Sequence, residues 1–135
     1  MHCPRSRRPW QALWGSEEGS AAADFVMVGG LLTVLALAVV QLTLVLHVRN
    51  VLVDAAASGA RYGILADRTP QDARARAGEL ITGAVGADYA GDISVGHADS
   101  AGVRSLEVRV VAPMPVVGLI GPAGRLEVSG HAPLQ

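Results

Sequence analysis

From Phe25 to Leu46 the chain runs 22 residues without a charge. At about 1.5 Å per residue this makes a helix of roughly 33 Å, enough to cross the hydrocarbon core of a bilayer. Ser20 suits the N-cap, and Asp24 falls within about a turn of that start, where a carboxylate complements the helix dipole. Past Leu46 only Gly59 and Gly63 weaken the helical pattern as far as Leu65, so the sequence predicts one long helix, half in lipid and half outside it. Thr69, Pro70 and Asp72 form a second start signal: N-cap, proline in the first turn, and an acid three residues after the cap. Ala73, Ala77, Leu80, Ile81 and Ala84 then share one face of an amphipathic helix, with Arg74, Arg76 and Glu79 on its wet side and Gly83 and Gly86 ending it.

After Gly91 the apolar period changes from 3.6 to 2. Ile93 and Val95 flank Ser94, and Gly96–Gly102 reads as a polar loop. Leu106, Val108 and Val110 alternate with Glu107 and Arg109, the clearest strand pattern in the chain. Pro113 and Pro115 end it, because proline cannot donate to a ladder. The apolar stretch Val116–Ile120 precedes the turn residues Gly121-Pro122-Ala123-Gly124, and a last strand with Leu126 and Val128 inward runs into Gly130. Ser105 and Ser129 fall at outward positions. The expected class is α+β: an N-terminal transmembrane helix extended into an exterior helix, a second helix, and a small antiparallel sheet of about three strands. The expected division is a cytoplasmic leader 1–19, a helical segment 20–66 and an exterior domain 67–135.

Composition narrows the function. The chain has 11 arginines, no lysine and 12 acids, and no basic block sits beside stacking aromatics, so nucleic-acid binding has no support. The one cysteine, Cys3, cannot form an intramolecular disulfide. Only one Phe, two Tyr and two Trp occur, so an exterior core must be built from Val, Leu, Ile and Ala, with help from the membrane or a partner. Arg5, Arg7 and Arg8 precede the apolar run, against Arg49 and Arg61 after it, which favours a cytoplasmic N-terminus. A cleavable secretory signal fits poorly: the run is too long, and Ala55–Ala60 lies too far beyond it for an ordinary cut.

Catalytic and metal-binding chemistry finds no constellation. His2, His47, His97 and His131 lack partners at ligand spacing, and His97 with Asp99 lacks a third ligand. Gly118-Leu119-Ile120-Gly121 is not followed by Lys and Ser or Thr, so it is no phosphate loop. The expectation is a protein that is not an enzyme and takes no cofactor or metal.

Three places carry a family resemblance. The first is the junction Gly19-Ser20-Ala21-Ala22-Ala23-Asp24-Phe25, a glycine, an acid five residues on, and an aromatic opening a hydrophobic helix. The second is Asp54-Ala55-Ala56-Ala57-Ser58-Gly59-Ala60-Arg61-Tyr62, and the third is the valine-rich, proline-interrupted ending that closes on Leu126–Gly130. The chain resembles the TadE-like family of small pilin-like proteins from tight-adherence pilus systems. The resemblance implies a prepilin peptidase cutting between Gly19 and Ser20, which makes Asp24 the fifth residue of the mature chain. It also implies other pilin-like subunits and pilus assembly proteins as partners. An acid at that position answers a buried amine from a neighbouring subunit, since a charge in apolar surroundings needs a partner. The family usually has Glu there; Asp is one methylene shorter.

Within the long helix, Ala56, Gly59 and Ala60 let another helix or a sheet approach closely, although the same residues also serve simply as a good helix-forming segment. Gln41 and Thr43 offer hydrogen bonds to a neighbouring helix, and Arg61 reads as a packing or solvation residue of the family block. Val116–Ile120 is the suspected partner patch, with a buried hairpin edge as its alternative. The alternative to a pilus component is a signal-anchored exterior binding module, for which Gly19 and Asp24 are coincidental.

Overall fold

A computed structural model describes residues 17–115 and 124–134. The leader up to residue 16 and the Val116–Ile120 patch lie outside the described residues. Helix α1 spans Glu17–Gly63 and α2 spans Pro70–Ala84. After a short 3-10 turn at Ala87–Ala90 come strands β1 (Asp92–Ser100), β2 (Val103–Pro113) and β3 (Arg125–Pro133). The strands form one antiparallel sheet in the order β1-β2-β3. This is the α+β arrangement the sequence predicts. Two compact units divide the chain at Val39 and Val40, the second running to the C-terminal end and including the later half of α1.

The second unit is built on α1. Val48, Leu52, Ala55, Ala56 and Ala60 are buried, and they join Ala73, Ala77 and Ile81 of α2 and Ile93, Leu106, Val108, Val110, Val128 and Ala132 of the sheet in one core. Its largest fully buried side chains are only Leu52, Ile81, Val108 and Val110. With so little side-chain volume, the layers close by bringing backbones together. A Cβ on Gly130 would run into the backbone of Ala56 and Ala57, so β3 lies directly on α1. A Cβ on Gly63 would meet Ala73 Cβ at 2.6 Å and Leu106 Cδ2 at 2.7 Å.

The strands follow the helix axis. Gly130 pairs with Val108, which sets Val108 beside Ala56 and Ala57. From Val108 to Pro115 a strand advances about 23 Å, and the Pro115 carbonyl accepts a hydrogen bond from Gln41 Nε2. From Ala56 back to Gln41 the helix covers about 22 Å. The two lengths agree: β2 runs antiparallel to α1 and ends level with Gln41.

Several local readings change. Helix α1 begins at Glu17, so Ser20 lies inside it and residues 17–19 are helical rather than unstructured leader. Gly96–Gly102 is no loop: β1 extends to Ser100, and only Ala101 (φ 52°) and Gly102 (φ 80°) turn the chain. Two successive positive φ angles give the twist that a tight hairpin requires. The polar residues fit because β1 is an edge strand, exposed at Gly96, His97, Asp99 and Ser100. Ser105 is buried, its hydroxyl donating to the Ala98 carbonyl at 3.0 Å. Gly130 does not end the last strand, which continues to Pro133.

Helix α2 starts as its sequence dictates. The Thr69 hydroxyl accepts from the Asp72 N–H at 3.3 Å, and the Asp72 carboxylate accepts from the Thr69 N–H at 2.8 Å. Ala73, Ala77 and Ile81 are buried and Leu80 half-buried, while Ala84 is exposed. At the junction of the helices the Arg68 guanidinium stacks 4.7 Å above the Tyr62 ring, with Arg76 at 5.9 Å.

The hydrogen bond from the Thr69 N–H, and then the one from its hydroxyl, hold the Asp72 carboxyl below the usual carboxylate value. A depressed folded-state pKa contributes stability that is present above the unfolded value and lost as pH falls through the folded one. Asp72→Asn should therefore flatten the acid limb of unfolding midpoint against pH, below about pH 4, relative to the parent chain. Thr69→Ala should cost about 1 kcal/mol at neutral pH. Denaturant titrations of the detergent-solubilised chain measure both.

Candidate functional site: the apolar helix and its junction

The Gly19–Ser20 peptide bond lies in the first turn of α1. A glycine within a helix weakens it by about 1 kcal/mol relative to alanine. The bond is thus held in helix, beside a residue that weakens it. Gly19, Ser20, Asp24 and Phe25 are all exposed, Phe25 at 79%.

Asp24 is the eighth residue of α1, beyond the first turn in which the helix dipole acts. The dipole reading of this acid therefore does not apply to the full chain. Removing residues up to Gly19 would place Asp24 four residues from a new α-amine at Ser20, a spacing that puts both on one helix face.

From Phe25 to Val40 no side chain of α1 is buried. Phe25, Val26, Met27, Leu31, Leu32, Val34, Leu35, Leu37, Val39 and Val40 are each more than half exposed. Thr33 satisfies its hydroxyl internally, donating to the Gly29 carbonyl at 2.8 Å. Among the described residues this is the one helix with the length and composition to cross a membrane. Burying a row of this kind is favourable by about 25 cal/mol per Å² of apolar surface, a burial of the kind that lipid offers. A single N-terminal apolar helix of this kind fits a single-pass anchor.

Beyond this stretch the same helix turns its small residues inward. Ala56 and Ala60 are fully buried. A Cβ on Gly59 would meet the Ala73 carbonyl oxygen at 2.7 Å and Ala77 Cβ at 2.9 Å. These residues do permit close approach, and what approaches is the chain's own α2 and β3. Gln41 likewise bonds within the chain, to Pro115. Arg61 is exposed in the last turn of α1, where a cation suits the negative end of the dipole by about 0.3–1 kcal/mol. Gly19, Ser20, Asp24 and Phe25 fall in the first unit, and Gln41, Ala56, Gly59, Ala60 and Arg61 in the second.

On the outer sheet face Arg109 bridges Glu107 at 3.1 Å and Glu127 at 3.3 Å. Exposed pairs of this kind contribute about 0–1 kcal/mol each. No cluster of three or more His, Cys, Asp or Glu suited to a metal occurs among the described residues.

Residues 19–61 match the model of the family described as TadE-like protein. The match begins at the junction glycine and ends at Arg61, covering the first of the three places that carry the resemblance and the second except for its last residue. No curated protein matches the chain, and no solved structure does.

The two glycine classes make opposite predictions. Gly59→Ala should destabilise the second unit by about 1–3 kcal/mol, because the added methyl must displace the backbone of α2. Gly30→Ala should leave that unit's stability unchanged, since a Cβ at this position would have nothing within 4 Å. Denaturant midpoints of the two variants, read side by side, check both.

Proposed function

We propose that this protein is a pilin-like, membrane-anchored subunit or assembly factor of a tight-adherence pilus, cut between Gly19 and Ser20 by a prepilin peptidase. The observation that carries the reading is the uncovered apolar half of α1 with Asp24 at its mouth, inside a segment that matches the TadE-like family. In this reading the N-terminus faces the cytoplasm and the second unit lies on the opposite side. Lipid covers Phe25–Val40 until assembly, when the helix exchanges lipid for neighbouring helices. Asp24 then answers the charge of a neighbour's terminal amine, and the pairing favours a fixed register between subunits.

The second unit supports this division of labour. Its core holds the later half of α1 against the sheet without drawing on the apolar half. It can therefore stay folded while the exposed half moves between lipid and protein surroundings.

Asp24→Ala separates this reading from a plain anchored module. The variant should insert in the membrane and keep a folded second unit, yet fail to complement a deletion strain in pilus output. Full complementation by Asp24→Ala would contradict the proposal.

A further inference from the structure

Within the second unit, one side of α1 is left uncovered. Val51 and Ala55 of α1, with Leu80 and Ala84 of α2, wall an open groove of about 380 Å³. Asp54, Ser58 and Arg61 line the same groove at i, i+4 and i+7, and so share one helix face. The two charges stand two turns apart, roughly 10.5 Å along the axis, too far to meet each other. Both are exposed, and neither is in an ion pair among the described residues.

A second flank of the same helix has the apolar surface that such a groove takes. Leu46, Asn50, Val53 and Ala57 follow at i, i+4, i+7 and i+11, again on one face. Leu46 is 48% exposed, Asn50 is exposed, and Val53 and Ala57 are half-buried. Asp54, four residues from Asn50 and three from Ala57, borders this flank as well as the groove. Copies anchored through the same end of α1 run parallel. In register, a parallel pair sets Asp54 level with Asp54 and Arg61 level with Arg61, and like charges disfavour it. Displacing one copy by seven residues keeps the same face, since seven residues make two turns, and sets Asp54 of one level with Arg61 of the other. The same displacement sets the second copy's Leu46 between the levels of Val51 and Ala55.

We propose that the groove between α1 and α2 receives the Leu46–Ala57 flank of a second copy of this chain, parallel to the first and displaced by seven residues. Leu46 and Val53 of the second copy meet the apolar walls. Its Asp54 meets Arg61 at the rim and fixes the stagger, as flanking charges set partner and orientation in paired helices. The contact joins two different patches, so each copy in turn offers a free groove or a free flank, and the series stays open where an in-register dimer closes. The inference rests on the pilin-like reading, which makes the helices parallel, and it deepens that reading: the chain is a subunit that repeats.

Thiol cross-linking in native membranes tests it, with two full chains in a Cys3→Ser background produced together in a strain lacking the native copy. One carries Asn50→Cys and the other Ser58→Cys, positions that the displacement brings within one residue, about 1.5 Å along the axis. A short bis-maleimide should join the two different chains in preference to like chains. Asp54→Arg or Arg61→Asp alone should abolish the mixed product, and the double exchange Asp54→Arg/Arg61→Asp in both chains should restore it. Preferential joining of Ser58→Cys chains to each other, the product of an in-register or antiparallel pair, would overturn the inference. So would the absence of any product, or a double exchange that restores nothing. Intact mass in the same cells separates the pilus reading: a mixed product from chains that still carry residues 1–19 would overturn that reading and leave the contact standing.

Discussion

Close approach of backbones along the later half of α1 is the constraint on which the rest of this molecule depends. Gly130 of β3 lies on Ala56 and Ala57, Gly59 lies on Ala73 and Ala77, and Gly63 faces Ala73 and Leu106. A core in which alanines and valines predominate has little area per residue to bury, so its layers also touch through their main chains. The sheet order, the course of β2 along the helix and the seat of α2 all follow from these contacts.

That constraint also divides the long helix by function. Where α1 carries small residues it is the spine of a folded unit; where it carries large apolar ones, from Phe25 to Val40, it is left for lipid or for other helices. The charged junction at Gly19–Asp24 lies at the far end of the exposed half. In the proposed reading, processing and packing occupy separate stretches of this one helix, and Gln41, bonded to the Pro115 carbonyl, belongs to the packed stretch.

Much of this was legible because it is local. The Thr69–Pro70–Asp72 cap, the alanine face of α2, the alternation from Leu106 to Val110 and the span itself each declare their structure within a few residues. What escaped is set by tertiary partners. Gly130 reads as a strand terminator until α1 lies against it, and Gln41 reads as a hydrogen-bonding group for a neighbouring helix until a carbonyl 74 residues away accepts its hydrogen bond. The polar half of β1 looks like a loop because an edge strand has no need to alternate, and Ala101 gives no sequence sign of its positive φ. Ser105 looks like a surface residue, yet it is buried and its hydroxyl donates to the Ala98 carbonyl of β1. The junction at Gly19–Phe25 was legible only as a family pattern, since no contact given among the described residues reveals its purpose.

In the proposed function the apolar half of α1 belongs to a processed pilin-like subunit. Intact mass of the protein recovered from its native membrane tests it most directly. The account predicts a chain that starts at Ser20, with Cys3 lost along with the leader. A chain that still carries residues 1–19 would contradict it and leave an anchored domain with an ordinary acid at position 24.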